Sequence, residues 1–191
     1  MEFVFVRHGQ GEHTLDIPNS LHISDPSLTE EGINQAKALR EQLPLSPTDV
    51  LICSPVRRTL ETMEIWSKGI DCKKIVSPLV SPRMFPQIPE GKTLPCDKML
   101  SEETIKADFP DFHLDEEAES EWWIKGINKM SEEEFNLRGK AFIKRCKLMG
   151  TRRIFIVSHD GTITSYRKFI TGNEFTRGDF PKETGIVKVN F

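Results

Sequence analysis

Two short and wholly apolar runs constrain this chain most: Phe3-Val4-Phe5-Val6 near its start and Ile154-Phe155-Ile156-Val157 near its end. Neither alternates apolar with polar residues, so a strand made from either must bury both faces. Such a strand belongs inside a sheet that is covered above and below. Helical patterns separate these runs. Strands alternating with helices imply an α/β fold, a three-layer α/β/α sandwich around a mostly parallel central sheet.

The intervening elements follow from local chemistry. Thr29 is a helix N-cap, Glu30 and Glu31 favour the first turn, and Ile33, Ala36, Leu39 and Leu43 share one face until Pro44. Residues 49–53 predict a second buried strand. Ser54-Pro55 then predicts a helix start, with Ser54 as cap and Pro55 at the first helical position. Residues 74–77 predict a third strand. Ser131 and Glu134 form a capping-box pattern before another helix. The strand over 153–158 leads into a helix near Thr162 that Gly172 closes, and 186–190 predict a last strand. Residues 78–130 differ: six prolines fall between Pro78 and Pro110, and an acidic stretch ends on Trp122-Trp123. They read as an insertion or lid over a single domain spanning 1–191.

Composition narrows the classes. The chain has 26 basic and 29 acidic residues, which argues against a nucleic-acid partner. Its four cysteines form no CxxC pair and fit a reduced, cytoplasmic protein. The apolar run at the start is too short for a signal peptide, and no stretch is long enough to span a membrane. No exposed apolar stripe sets an oligomeric state.

Chemistry concentrates where the strands end. The first run stops at Arg7-His8-Gly9, the second strand at Ser54 with Arg57 and Arg58 one turn on, and the late strand at His159-Asp160. In a parallel sheet these ends converge on one edge. Arginine forks match phosphate oxygens, and a protonated histidine adds charge. A neutral imidazole can attack phosphorus and carry the phosphoryl group. Gly9 leaves room for an anion near the backbone.

Four segments in order resemble the histidine phosphatase (phosphoglycerate mutase-like) superfamily. Arg7-His8-Gly9 is similar to its RHG signature. Residues 28–36 (LTEEGINQA) are similar to its LTxxGxxQA helix, residues 54–62 (SPVRRTLET) to its SPLxRAxQT segment, and residues 157–161 (VSHDG) to its SHGG segment. The resemblance implies that His8 is the nucleophile and that Arg7, Arg58 and His159 bind the phosphoryl oxygens. Arg58 matches the family arginine, which leaves Arg57 a solvated helix residue. The resemblance implies Gly9, Gln10 and Thr14 as substrate-binding loop positions. Thr14 stands where the family often has asparagine, and its hydroxyl is expected to donate to a phosphate oxygen. The second ring nitrogen of His8 is expected to donate to a backbone carbonyl. No metal or cofactor is called for.

One family feature is missing. Many members place a glutamate general acid shortly after the third strand, yet no carboxylate lies between Asp71 and Glu90. Asp160 is the main substitute, since another branch has an aspartate after the second histidine as proton donor; its local alternative is a helix N-cap. Glu12, Glu90 and Asp97 are further candidates. Met84, Phe85, Trp122 and Trp123 are candidates to shape a pocket, with at least one tryptophan in the core. The resulting expectation is a metal-independent phosphatase for a small phosphomonoester. A phosphoglycerate-type mutase, a phosphohistidine or anhydride phosphatase and a non-catalytic phosphate-binding protein are the alternatives.

Overall fold

In a computed structural model, which describes residues 1–88 and 90–190, six strands form one sheet in the order β4-β3-β2-β5-β1-β6. The strands are β1 (Glu2–Arg7), β2 (Val50–Cys53), β3 (Lys73–Val76), β4 (His113–Leu114), β5 (Arg153–Ser158) and β6 (Ile186–Asn190). All pairings are parallel except that of β6 with β1. The two apolar runs are neighbours, with Phe3 opposite Ile154 and Val6 opposite Val157.

The two-residue period of a strand explains why these runs carry no polar face. Phe3, Phe5, Ile154 and Ile156 join one core, against α5 (Glu132–Leu148) and α6 (Asp160–Thr171). Val4, Val6, Phe155 and Val157 join the other, against α1 (Glu30–Gln42), α2 (Arg57–Ser67) and α3 (Glu102–Asp108). Two buried layers of side chains on one sheet make the three-layer architecture. Trp66, on α2, is 1% exposed and satisfies its indole N–H on the Leu43 carbonyl at 3.0 Å, tying α2 to the end of α1.

The caps confirm most helix starts and correct one. Thr29 accepts from the Gly32 amide, and Ser131 from the Glu134 amide. Ser54 does not cap α2. That helix begins at Arg57 behind Val56, whose backbone is extended. Proline disfavours helical backbone in the residue before it, so the chain stays extended past Ser54 and frees its hydroxyl. Helix α6 likewise begins earlier than predicted, at Asp160, with His159 in the cap position. Gly172 closes it in the left-handed region, at φ 69°.

Residues 78–130 are more deeply woven into the scaffold than a loose covering. Pro78–Val80 form a buried 3-10 turn, and His113–Leu114 add β4 to the sheet edge. Trp122, on α4 (Ser120–Lys125), enters one core and Trp123 packs against the other. Arg83 holds the end of this segment through the Ile127 and Met130 carbonyls, at 2.7 and 2.6 Å. Among the described residues no helix is long and apolar enough to cross a membrane.

Candidate active site

The carboxyl ends of β1, β2 and β5 meet at one edge of the sheet. The ladder continues just past them: the His8 amide donates to Ser158 at 3.0 Å and the Ser54 amide to Val157 at 3.1 Å. These backbone bonds place the side chains of His8, Ser54 and His159 side by side on rigid elements. A cavity of about 610 Å³ opens above them, with Arg7, His8, Arg58 and His159 in its lining.

His8 sits 2% exposed between two fixed partners. Its Nδ1 lies 2.7 Å from the Gly9 carbonyl, and its Nε2 lies 3.2 Å from Arg58 Nε. A guanidinium can only donate, so Nε2 accepts and Nδ1 carries the proton. The expected tautomer is therefore present, with the Nε2 lone pair facing Arg58 and engaged by its Nε–H. Burial, followed by the charges of Arg58, His13 and Arg7, lowers the His8 pKa well below 6.5.

Arg58 is 1% exposed and shares its fork among four partners. Besides His8, Nη1 donates to the Cys96 carbonyl at 2.6 Å, and Nη2 reaches Asp97 at 2.8 Å and His159 Nδ1 at 3.1 Å. Since Nδ1 of His159 accepts, its Nε2 donates to Ser54 Oγ at 2.8 Å. The hydroxyl that the helix does not use thus sets the second histidine's tautomer. Burial and Arg58 lower the His159 pKa well below 6.5, so His159 is neutral in the empty pocket rather than protonated. Its place at the N-terminus of α6 also disfavours a cation. A bound phosphoryl dianion pulls in the other direction.

Arg7 spends one group on the Pro181 carbonyl at 3.0 Å and faces Asp160 at 3.2 Å, while its Nε is buried without a partner. Asp160 turns its other oxygen to the Gly161 amide at 2.6 Å. Gly161 itself is needed for close approach: a Cβ there would lie 2.2 Å from the Arg83 carbonyl. Hence α6 can dock on the 78–130 segment only with glycine at that turn.

The loop positions divide. Thr14 lines the cavity, but its hydroxyl proton goes to the Gly11 carbonyl at 2.8 Å, so it is not the free donor expected of it. Gly9 and Gln10 are not in the cavity lining. The Gly9 amide donates to Thr62, the Gln10 amide donates to Gln35, and the Gln10 side-chain oxygen accepts from Thr29. Gly9 is small because a Cβ would lie 2.6 Å from the Gly32 carbonyl, a helix contact and not an anion contact.

Among the carboxylates, Glu12 is exposed and caps the Ser27 amide, and Glu90 is exposed in a turn. Neither is in the cavity lining, whereas Asp97 and Asp160 are. Arg57 is no free surface group: it bridges Asp25 and Asp108 at 2.6 and 2.9 Å, joining the first loop to α3. Met84 and Phe85 line the cavity, and the tryptophans do not. Sequence reasoning missed His13, which lines the cavity with its ring centroid 5.5 Å from that of His8. The signal was a histidine five residues after His8 in a loop carrying Gly9 and Gly11. Among the described residues, no group of three or more His, Cys, Asp or Glu is placed to hold a metal ion.

Comparison with known proteins places the chain in a family. The adenosylcobalamin/alpha-ribazole phosphatase of Salmonella typhimurium is 27% identical over 170 residues, covering 86% of this chain and 76% of that protein. A Schizosaccharomyces pombe protein named as a phosphatase is 45% identical over 64 residues, covering 32% of this chain and 29% of that one, so the chain spans under a third of it. Phosphoglycerate mutase-like protein 1 of Arabidopsis thaliana is 27% identical and covers 82% of this chain and 67% of its own length. Among solved structures, the alpha-ribazole phosphatase of Shigella flexneri superposes with a TM-score of 0.64 at 19% identity, covering 100% of this chain and 90% of that one, and so shares the fold. With the family model matching residues 3–182, the chain belongs to the histidine phosphatase superfamily, branch 1.

Proposed function

We propose that this chain hydrolyses a small phosphomonoester through a phosphohistidine on His8. The observation that carries the reading is His8 itself, buried, neutral and with its Nε2 lone pair turned to the cavity-lining Arg58. The phosphoryl group enters between Nε2 and Arg58 and takes over the arginine's donors. Arg58, Arg7 and His159 then face its oxygens, supplying charge that the transition state needs. Nε2 bonds to phosphorus, the P–O ester bond breaks, and the leaving oxygen takes a proton. Nδ1–H keeps its bond to the Gly9 carbonyl throughout and shares the positive charge on the ring.

The proton donor is Asp160. Its Arg7-facing oxygen is held at 3.2 Å, and its side chain is 33% exposed, so it can turn and exchange protons. Afterwards the carboxylate can take a proton from the water that attacks phosphohistidine, and phosphate leaves. Water access favours hydrolysis over transfer, since the Asp97 and Asp160 side chains are both partly exposed. Residues 78–130 provide much of the wall around the leaving group, through Met84, Phe85, Leu94 and Asp97.

The test is turnover of alkyl and aryl phosphates, with and without EDTA, together with trapping of acid-labile phosphate. His8→Ala is expected to abolish both release and label. Asp160→Asn is expected to slow alkyl esters more than aryl esters, whose leaving groups need less acid help. Undiminished turnover in His8→Ala would reject the covalent path. An equal loss on both ester types, or the alkyl-selective loss appearing in Asp97→Asn instead, would reject Asp160 as donor.

A further inference from the structure

The first loop places a second histidine against the nucleophile, and no hydrogen bond among the described residues uses its ring. His13 lies in the 3-10 turn Glu12–Thr14, 8% exposed, and lines the cavity. Its Nδ1 is fully enclosed and has no hydrogen-bond partner, and no described residue bonds the other ring nitrogen. An enclosed imidazole nitrogen without a partner has given up its bond to water with nothing in return. Such groups are uncommon in folded proteins and call for an explanation, an absent ligand among them.

Position supplies that explanation. The His13 ring centroid is 5.5 Å from His8, and that of His159, which faces the same cavity, is 5.1 Å from His8. Two imidazoles thus flank the nucleophile at nearly the same radius. The neighbouring loop residue cannot take the role, because the Thr14 hydroxyl already donates to Gly11. The ring does not hold the turn together either. That task falls to the His13 carbonyl, which accepts from Ser20 Oγ at 2.7 Å.

We propose that His13 is a phosphoryl-binding residue, donating a ring N–H to an oxygen of the group that His8 receives. It completes, with His159, Arg7 and Arg58, a set of donors around phosphorus. Burial and the two arginines keep the His13 ring neutral in the empty pocket, with a pKa lowered to about 3. A neutral imidazole still has one N–H to give. The proposal rests on His8 as the phosphoryl acceptor.

The experiment is titration of the full-length protein, carrying ¹⁵N-labelled histidine, with inorganic phosphate. The ring nitrogens of His13 and His159 are expected to shift together at saturation. His13→Phe keeps the ring volume and removes the donor, and is expected to weaken phosphate binding by about 10- to 100-fold, the worth of one hydrogen bond to a charged group. His13→Asn restores a donor and is expected to recover part of that loss. A shift at His159 with none at His13 would overturn the proposal and leave the phosphatase reading standing. So would parental phosphate affinity in His13→Phe. No shift at either histidine would overturn the phosphate site as a whole, and the proposal with it.

Discussion

Arg58 and Arg153 occupy opposite ends of the same sheet and are satisfied in opposite ways. At the amino-terminal edge, Arg153 gives Nε and Nη2 to the two oxygens of Asp49, at 2.9 and 2.6 Å. One buried carboxylate therefore takes most of that fork, and Asp49 also accepts from the Ser46 amide. At the carboxyl-terminal edge, Arg58 divides its fork among His8, His159, Asp97 and the Cys96 carbonyl. No single partner claims it, and Asp97, the partly exposed side chain among them, is free to turn away. The first arrangement is a completed ion pair that locks β5 to the start of β2. The second is a set of donors held in place by groups that a phosphoryl dianion can replace. On the proposed function, the difference separates an arginine that holds the fold from one that waits for a ligand.

Paired substitutions probe this contrast most strongly. Arg58→Ala is expected to lower kcat/KM by about 10²- to 10³-fold, the usual cost of removing one donor to a developing oxyanion. Asp49→Ala is expected to leave kcat/KM of the folded enzyme unchanged and to cost about 2 kcal/mol of stability. That figure lies between the values for buried and for surface pairs, because the Arg153 left behind is partly exposed. Denaturant melts and initial rates on both variants check it. If Asp49→Ala loses turnover while Arg58→Ala loses only stability, the contrast is wrong.

The histidines extend the comparison to pH. His8, His13 and His159 all have lowered pKa values in the fold, from a reference of 6.5. Above that value they are neutral whether the chain is folded or not. Below it the unfolded chain binds protons that the fold refuses, so stability is lost as pH falls, for His13 down to about 3. The slope approaches about 1.4 kcal/mol per pH unit for each such group. Melting curves between pH 7 and pH 4 should show this loss, and His13→Phe should flatten it. An unchanged slope in His13→Phe would mean that His13 is not held neutral.

The smallest effect sharpens the picture of His159. Ser54→Ala removes the hydroxyl that accepts from Nε2 and leaves Arg58 on Nδ1. Activity is expected to fall several-fold, about the value of one neutral hydrogen bond. The loss should lie in kcat/KM, with a fall of about 1 to 3 kcal/mol in stability because the buried Nε2–H is left without a partner. A large stability loss with normal kinetics would make Ser54 a packing residue only.

Much of the molecule was legible because its signals are local. Apolar runs wholly buried in a sheet, Thr29 and Ser131 as caps, and Gly172 as a helix stop each depend on residues a few positions apart. The RHG triplet was readable for the same reason, being a strand end with its own chemistry. What was misread depended on distant partners. Ser54 looked like a cap because Ser-Pro often opens a helix, yet His159, 105 positions away, takes its hydroxyl. Gln10 looked like a substrate contact and instead binds Gln35 and Thr29. His13 carried only the weak signal of a histidine in the loop after the triplet, with no helical or strand period to place its ring.

By itself the sequence determined the order of strands and helices outside residues 78–130, the layered fold, and the presence of His8, Arg58 and His159 at strand ends that must converge. Apolar patterning and capping suffice for this, since each acts over one or two turns. Only the tertiary structure decided the protonation state of His159, the tautomers of both histidines, the choice of Asp97 and Asp160 over Glu12 and Glu90 as cavity carboxylates, and the place of His13. Those outcomes are set by burial and by charges brought within a few ångströms from separate elements, and such fields exist only once the chain has closed on itself.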